Sequence, residues 1–257
     1  MTIQRYGWVK DVPDHRDLRM RYAAPVEVPE RVDLRAACPP VVNQSWAGSC
    51  VGNAVASALL FAGMRQDDAP VELSRLFIYY NARAIAGTVN EDAGCQIRDA
   101  IKSVAQQGAC LELAWPYDLT QLFVKPSAVA YYDAQQRQAI AYRAVPQQLN
   151  ALQACLASGY PIVFGFMVFK SFESAEVIAT GRLDLPGPHE TPIGGHAVKL
   201  VGYSVPEQRF IVRNSYGESF GDKGYFTMPF DYVCNPNLAD DFWVIQSVEH
   251  LTPLKGP

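Results

Sequence analysis

Apolar residues recur at helical spacing from Ser49 onward: Val51, Val55, Ala58, Leu59 and Ala62 fall on one face, and Gly63 marks the end of the run. A second helix is predicted after Leu73-Ser74, where Ser74 is a natural N-cap ahead of Leu76, Phe77 and Tyr80. A third spans about 96–107, with Ile97, Ile101, Val104 and Ala105 turned inward and Gly108 as its stop. A fourth spans 147–158 and closes on Gly159. Beyond it the period changes. Segments 161–169, 196–203, 209–213, 224–228 and 242–248 are short, rich in β-formers and separated by Gly/Pro turns. A mostly helical half at about 38–140 and a mostly β half at about 141–250 point to an α+β protein with a cleft between the halves.

Residues 1–27 follow neither period. They are charged and turn-rich, running through Tyr6-Gly7-Trp8 and Asp11-Val12-Pro13-Asp14-His15-Arg16-Asp17. Composition fits a disordered tail as well as an extended segment leaning on a larger body; the aromatic pair Tyr6 and Trp8 favours the second.

Composition narrows the chemistry. Apolar residues make up 49% and charged residues 19% of 257, an ordinary globular balance. The net charge of −4 comes with no clustered Lys/Arg, which argues against nucleic acid and anionic membrane as partners. Neither C-x-x-C nor H-E-x-x-H occurs, so no metal and no cofactor is expected. Residues 1–10 lack the apolar run of a secretory leader, and no stretch is long enough to span a bilayer. A cytoplasmic monomer is therefore expected, with leaderless export left open.

Of the six cysteines, Cys50 stands apart because it opens the first helix, where unpaired N–H groups favour a thiolate. Taken alone, a buried cysteine is more often a small apolar filler. Three other residues change that weighing. Gln44 lies on the loop leading into the helix, where its amide can join the Cys50 N–H in holding an oxyanion. His196 opens an apolar strand after Gly194-Gly195, and Asn214 closes the next strand, so a hairpin can bring its amide to the imidazole. Singly, the first would be a satisfied core histidine and the second a turn residue.

Together these residues resemble the papain family of cysteine peptidases. Val28-Pro29-Glu30-Arg31-Val32-Asp33-Leu34-Arg35 is similar to the start of the mature enzymes, and Asn43-Gln44 through Cys50 to their Gln-to-Cys segment. His196-Ala197-Val198 with Val201-Gly202-Tyr203, and Asn214-Ser215-Tyr216-Gly217 with Gly221-Asp222-Lys223-Gly224-Tyr225-Phe226, match the His and Asn blocks. The order and span are those of the family pattern. The short N-terminal segment and Cys38-Pro39-Pro40 resemble bacterial, xylellain-like members most.

The resemblance implies a peptidase domain over 28–257 acting on peptide or protein substrates. In it Cys50 is the nucleophile, His196 the acid/base, Asn214 its orienting partner and Gln44 an oxyanion donor. It also implies substrate contacts at Gly94, Cys95, Gly165, Phe166, Gly195 and Tyr216, with an apolar preference at P2; for Phe166 a plain core role fits the sequence equally well. Residues 1–27, too few for the long helical propeptide of eukaryotic members, are expected to lie over or near the cleft and block it. Three departures stand out. Ala47 occupies a position usually held by a bridging cysteine, Val51 replaces an aromatic, and Tyr216 and Phe220 replace two tryptophans. A transglutaminase or deamidase, which normally uses Asp as third member, and an inactive peptide-binding module are the rival readings.

Overall fold

Helix α1 (Cys50–Met64) is apolar almost all round, and 12 of its 15 residues are buried, which makes it the central helix of the molecule. The computed structural model that shows this describes residues 6–21, 27–66 and 68–249. Gly52 lets α2 (Arg75–Ala86) approach, because a Cβ there would lie 2.7 Å from the Arg75 carbonyl oxygen. The Ser74 hydroxyl accepts the Phe77 N–H at 3.1 Å, as its N-cap position requires. Helix α3 (Ile97–Gln106) buries a stripe of Ile97, Ala100, Ile101 and Val104. The chain then turns at Gly108, whose φ of +82° and 1.7 Å Cβ distance to the Ala134 oxygen at the end of α4 (Ala128–Ala134) admit only glycine.

The β-rich half is one antiparallel sheet. Its strands are β1 (Arg31–Asp33), β2 (Ala139–Ala144), β3 (Ile162–Phe169), β4 (Pro192–Ser204), β5 (Arg209–Arg213), β6 (Tyr225–Pro229) and β7 (Ala239–Val248). They run in the order β2-β7-β3-β4-β5-β6, with β1 pairing β4. β1, three residues long, carries too few alternating positions to be read from sequence, and β2, Ala-Ile-Ala-Tyr-Arg-Ala, is half alanine, a weak strand former. One sheet face presents Val163, Ala197, Trp243 and Ile245 to α1, α2 and α3. The other packs an aromatic core, Phe164, Phe166, Phe210 and Phe226 among it, around α5 (Leu149–Ala157) and α6 (Phe230–Val233). Burying the first face on α1 brings the N-terminus of that helix to β4. Cys50, His196 and Asn214, singled out from the sequence, gather there.

Candidate active site

Cys50 is the first residue of α1, and its Sγ accepts the Ala197 backbone N–H at 3.4 Å. That contact sets the thiol beside His196, one residue earlier on β4. The hairpin from β4 to β5 holds Leu200 opposite Val212 and Lys199 opposite Arg213, which delivers the next residue, Asn214, to the imidazole. His196 Nε2 and Asn214 Oδ1 are 2.9 Å apart. Oδ1 also accepts the Ser215 N–H at 2.8 Å, so the amide oxygen faces the ring and Nε2 carries the proton of the neutral imidazole. Nδ1, buried and without a hydrogen-bond partner among the described residues, is the ring atom left for proton exchange.

Gln44 is fully buried and held at both ends of its amide. Oε1 accepts the Ser215 hydroxyl at 2.6 Å, and Nε2 donates to the Ala47 carbonyl at 3.0 Å, which turns the NH₂ toward the loop that enters α1. Ser215 thus braces Asn214 through its backbone and Gln44 through its side chain. Sequence reasoning missed it; its place beside Asn214 was the only signal. The loop has a second brace where the family's usual disulfide is lacking. The Gly48 N–H donates to the Asp92 carboxylate at 3.0 Å, the Tyr79 hydroxyl donates to Asp92 at 2.5 Å, and the Gly94 N–H donates to Tyr79 at 3.0 Å. None of the six cysteines is in a disulfide.

Two of the expected substrate contacts are placed otherwise. Tyr216 lies 4.9 Å from the His196 ring at 30°, where it covers the His–Asn bond instead of lining a subsite. Phe166 is fully buried beneath His196, packed edge-on against Phe172 and Tyr232. Successive strand residues face opposite sides, so β3 turns Gly165 to the cleft and Phe166 to the core.

The other four expected contacts, Gly94, Cys95, Gly165 and Gly195, do line a cleft, and the chain's own N-terminal segment occupies it. The Gly7 carbonyl accepts the Cys95 N–H at 2.9 Å, the Val9 N–H donates to the Cys95 oxygen at 3.1 Å, and the Trp8 N–H donates to the Gly195 oxygen at 2.9 Å. The glycines are a steric requirement. A Cβ on Gly94 would lie 2.2 Å from the Gly7 oxygen, and one on Gly165 would lie 2.0 Å from the Trp8 ring. Tyr6 sits 5.9 Å from the His196 ring and bonds Glu173 at 2.6 Å. Gly7 turns its N–H to the Cys50 sulfur and its carbonyl away to Cys95. The sulfur therefore faces an amide donor instead of a Gly7 carbonyl carbon.

In this enclosed setting burial works against the charged form of both Cys50 and His196. Burial pushes the Cys50 thiol up to about 11, against the pull of N–H donors from Ala197 and Gly7. Burial likewise lowers His196 to about 4, although the Asn214 bond favours its charged form. A thiol, an amide-held imidazole and an oriented carboxamide around one cleft are the set needed for acyl transfer through a thioester.

Residues 28–240 match the papain family cysteine protease domain. The chain belongs to the papain family. Xylellain, a cysteine protease from Xylella fastidiosa, is 40% identical and superposes with a TM-score of 0.88 over 95% of this chain and 96% of that one. An uncharacterized peptidase C1-like protein of Acanthamoeba polyphaga mimivirus is 38% identical over 96% of this chain and 88% of its own. Digestive procathepsin L 3 of Tenebrio molitor, at 18% identity and a TM-score of 0.70 over 93% of this chain and 75% of its own, shares the fold. As a papain-family member the protein is a cysteine peptidase, a hydrolase of peptide or protein substrates.

Proposed function

We propose that Cys50 is the nucleophile, His196 the acid/base, Asn214 its orienting partner, and Gln44 with the Cys50 N–H the oxyanion site. The observation that carries this reading is the His196–Asn214 bond at 2.9 Å with the Cys50 sulfur on the adjoining Ala197 N–H. In acylation the Cys50 thiol passes its proton to His196 Nδ1 and Sγ bonds to the scissile carbonyl carbon; Nδ1 then gives that proton to the leaving amine as the C–N bond breaks. Water then attacks the thioester, its proton passes to Nδ1, and Sγ departs with the electron pair of the C–S bond. An epoxysuccinyl inhibitor should label one thiol per chain, at Cys50, when followed by intact mass and peptide mapping. Labelling at another cysteine would overturn the assignment.

Gln44→Ala should lower kcat by roughly 10²–10³ with little change in KM, because its amide meets charge that develops in the transition state. Ser215→Ala should lower kcat by roughly tenfold, since Gln44 loses its brace but keeps its donor. Steady-state kinetics on one fluorogenic peptide separates the two; a raised KM at constant kcat would make Gln44 a ground-state contact.

We further infer that residues 6–11 hold the peptidase closed, an autoinhibitory role supported by their course along Cys95 and Gly195. Docking should be linked to protons. Asp11 and Asp241 are buried together, and burial raises both carboxyls, with the Asp11 charge a further cause at Asp241. Hydrogen bonds from Trp243, Trp8 and the Arg98 and Asp11 backbones pull the other way without cancelling this. The surrounding charges are Arg98, 3.9 Å from Asp11 and paired with Asp17, Asp99 near Asp11, Lys10 on Asp240 and Lys102 near Asp14. A carboxyl raised in the docked form binds its proton more tightly there, so docking strengthens as pH falls and weakens as pH rises. Cys50 and His196 carry one shared proton whether neutral or as an ion pair, so they do not offset the effect. The labelling-rate ratio of a chain starting at Val28 to the full chain should therefore grow as the pH is lowered from about 8 toward 5, above the ordinary carboxylate range. A flat ratio would remove the linkage.

The setting we propose is a single chain in a reducing compartment, away from nucleic acid and membrane. Six cysteines outside any disulfide and a net charge of −4 support it. A solution mass of two chains by light scattering would contradict the first part.

A further inference from the structure

Two loops and the starts of two helices meet beside Gln44, and one hydroxyl joins them. Tyr117 lies half-buried on the loop between α3 and α4. Its Oη donates to the Gln44 backbone carbonyl at 2.8 Å and lies 2.5 Å from Ser49 Oγ. Ser49 is fully buried and immediately precedes Cys50, at the N-cap position of α1. Asn53, one turn further along α1, donates from Nδ2 to Ser49 Oγ at 3.1 Å, and its Oδ1 accepts Arg75 Nη1 at 3.0 Å. Arg75 opens α2, and its guanidinium lies over the Tyr117 ring, 3.9 Å from the centroid.

The two ends of this run fix the direction of every hydrogen bond in it. Arginine only donates and a backbone carbonyl only accepts. Asn53 therefore presents its oxygen to Arg75 and its NH₂ to Ser49. Tyr117 has one proton, which the Gln44 carbonyl takes, so the Ser49 hydroxyl donates to Tyr117. Bonds aligned in this way polarise one another in the same sense, outward from the guanidinium.

A serine at an N-cap ordinarily turns its oxygen to the N–H groups of its own first turn. Ser49 makes no such bond. Tyr117 engages its hydroxyl instead, and the N–H groups of Cys50 and Val51 face the Cys50 sulfur. Tyr117 thus ties Gln44 to the residue before Cys50, across the loop between them. That loop contains Ser45 at φ +56°, a left-handed conformation that persists only where surrounding contacts fix it. The Gln44 backbone has a further tie, its N–H to the Ser215 oxygen at 2.8 Å.

We infer that Tyr117 is a positioning residue of this peptidase: its hydroxyl sets the spacing between the Gln44 amide and the Cys50 N–H, the two donors that must meet one oxyanion. This rests on the acyl-transfer reading above and deepens it. Such donors act only within hydrogen-bond distance of the developing charge, so a small shift of the Gln44 backbone is felt in kcat.

Tyr117→Phe tests this, because it removes one oxygen and keeps both the ring under Arg75 and the backbone N–H that Glu112 accepts at 2.6 Å. Two rates are measured on each full-length chain: kcat/KM for one fluorogenic peptide, and alkylation of Cys50 by iodoacetamide, followed by peptide mapping. Alkylation needs the thiol but develops no oxyanion. Both rates scale with the fraction of molecules left open by the segment, so their ratio isolates the oxyanion site. The ratio should fall about tenfold in Tyr117→Phe, through kcat and with KM kept. In a Gln44→Ala chain the same change should lower it no further, because a residue acting through Gln44 has nothing left to position. An unchanged ratio, or an equal fall in both backgrounds, would overturn the inference and leave Tyr117 a structural residue. Should Tyr117→Phe not melt cooperatively, Ser49→Ala cuts the same tie from the helix side and carries the same expected and overturning results. The Gln44→Ala chain reports on the underlying reading separately. If it leaves the ratio unchanged, the oxyanion role of Gln44 falls and this inference with it; a lowered ratio there beside an indifferent Tyr117→Phe sinks this inference alone.

Discussion

Peptide hydrolysis by the Cys50→Ala chain should fall to background, a loss on the order of 10⁵–10⁶, as expected when a nucleophile that acts with its base as one unit is removed. The same change should barely touch the fold. Cys50 is fully buried at the start of α1 among Ala47, Val51 and Ala54, and the substitution deletes a single sulfur there. The cost should be about 1 kcal/mol, within the range of ordinary core truncations. Hydrolysis and thermal melting measured on one preparation separate the two effects. A variant that melts normally yet retains most of its hydrolysis would remove Cys50 from the mechanism. His196→Ala should be comparably severe. Asn214→Ala should be milder, because the amide orients the ring without transferring a proton.

Opening the cleft should produce the next largest effect, with the opposite sign. Trp8 is almost wholly enclosed, and truncating a buried Trp costs about 3–5 kcal/mol. If the Trp8→Ala chain loses that much docking energy, its open fraction rises by roughly 10²-fold or more until it saturates. Gly7→Val should act more sharply still, since even a Cβ at residue 7 would lie 1.7 Å from the Gly48 carbonyl oxygen. Each variant, like a chain beginning at Val28, should be labelled at Cys50 about 10²-fold faster than the full chain. The gain has an electrostatic part. Once water reaches the site, burial no longer holds the thiol and imidazole neutral, and the thiolate–imidazolium pair can form. Labelling rates unchanged in variants of matched thermal stability would make residues 6–11 a structural strap and not a plug.

Much of the site was legible because its signals are local or strictly ordered. Cys50 at a helix start and Asn214 just past the end of β5 sit where element boundaries show in the period of apolar residues, whereas His196, expected to open its strand, lies inside β4, four residues past its start at Pro192. The caps at Ser74, Gly108 and Gly159 were equally visible, because capping is settled within four residues of chain. The identities of β3 to β7 followed from composition, and the β4–β5 hairpin needed only one short turn. The N-terminal segment was legible as an oddity, through Tyr6 and Trp8, but its course was not.

What the tertiary structure alone decided depends on partners far apart in sequence. Alternation said that Gly165 and Phe166 face opposite sides of β3, yet only the sheet's burial against α1 decided which side is the cleft, and it turned Phe166 into core. Tyr216 became a cover for His196 because Phe172 and Phe220 pack behind it. Ser215, Asp92 and Tyr79 brace the catalytic loops through hydrogen bonds between segments 13 to 171 residues apart, which no local pattern announces. Trp8 is the extreme case. Its indole donates to Asp241, 233 residues away at a one-residue bulge in β7. Sequence determined the elements and the order of reactive groups, since both are written in short-range periodicity and spacing. Which side chains meet in the cleft was left to strand register and layer packing, because those energies arise only when distant surfaces are buried together.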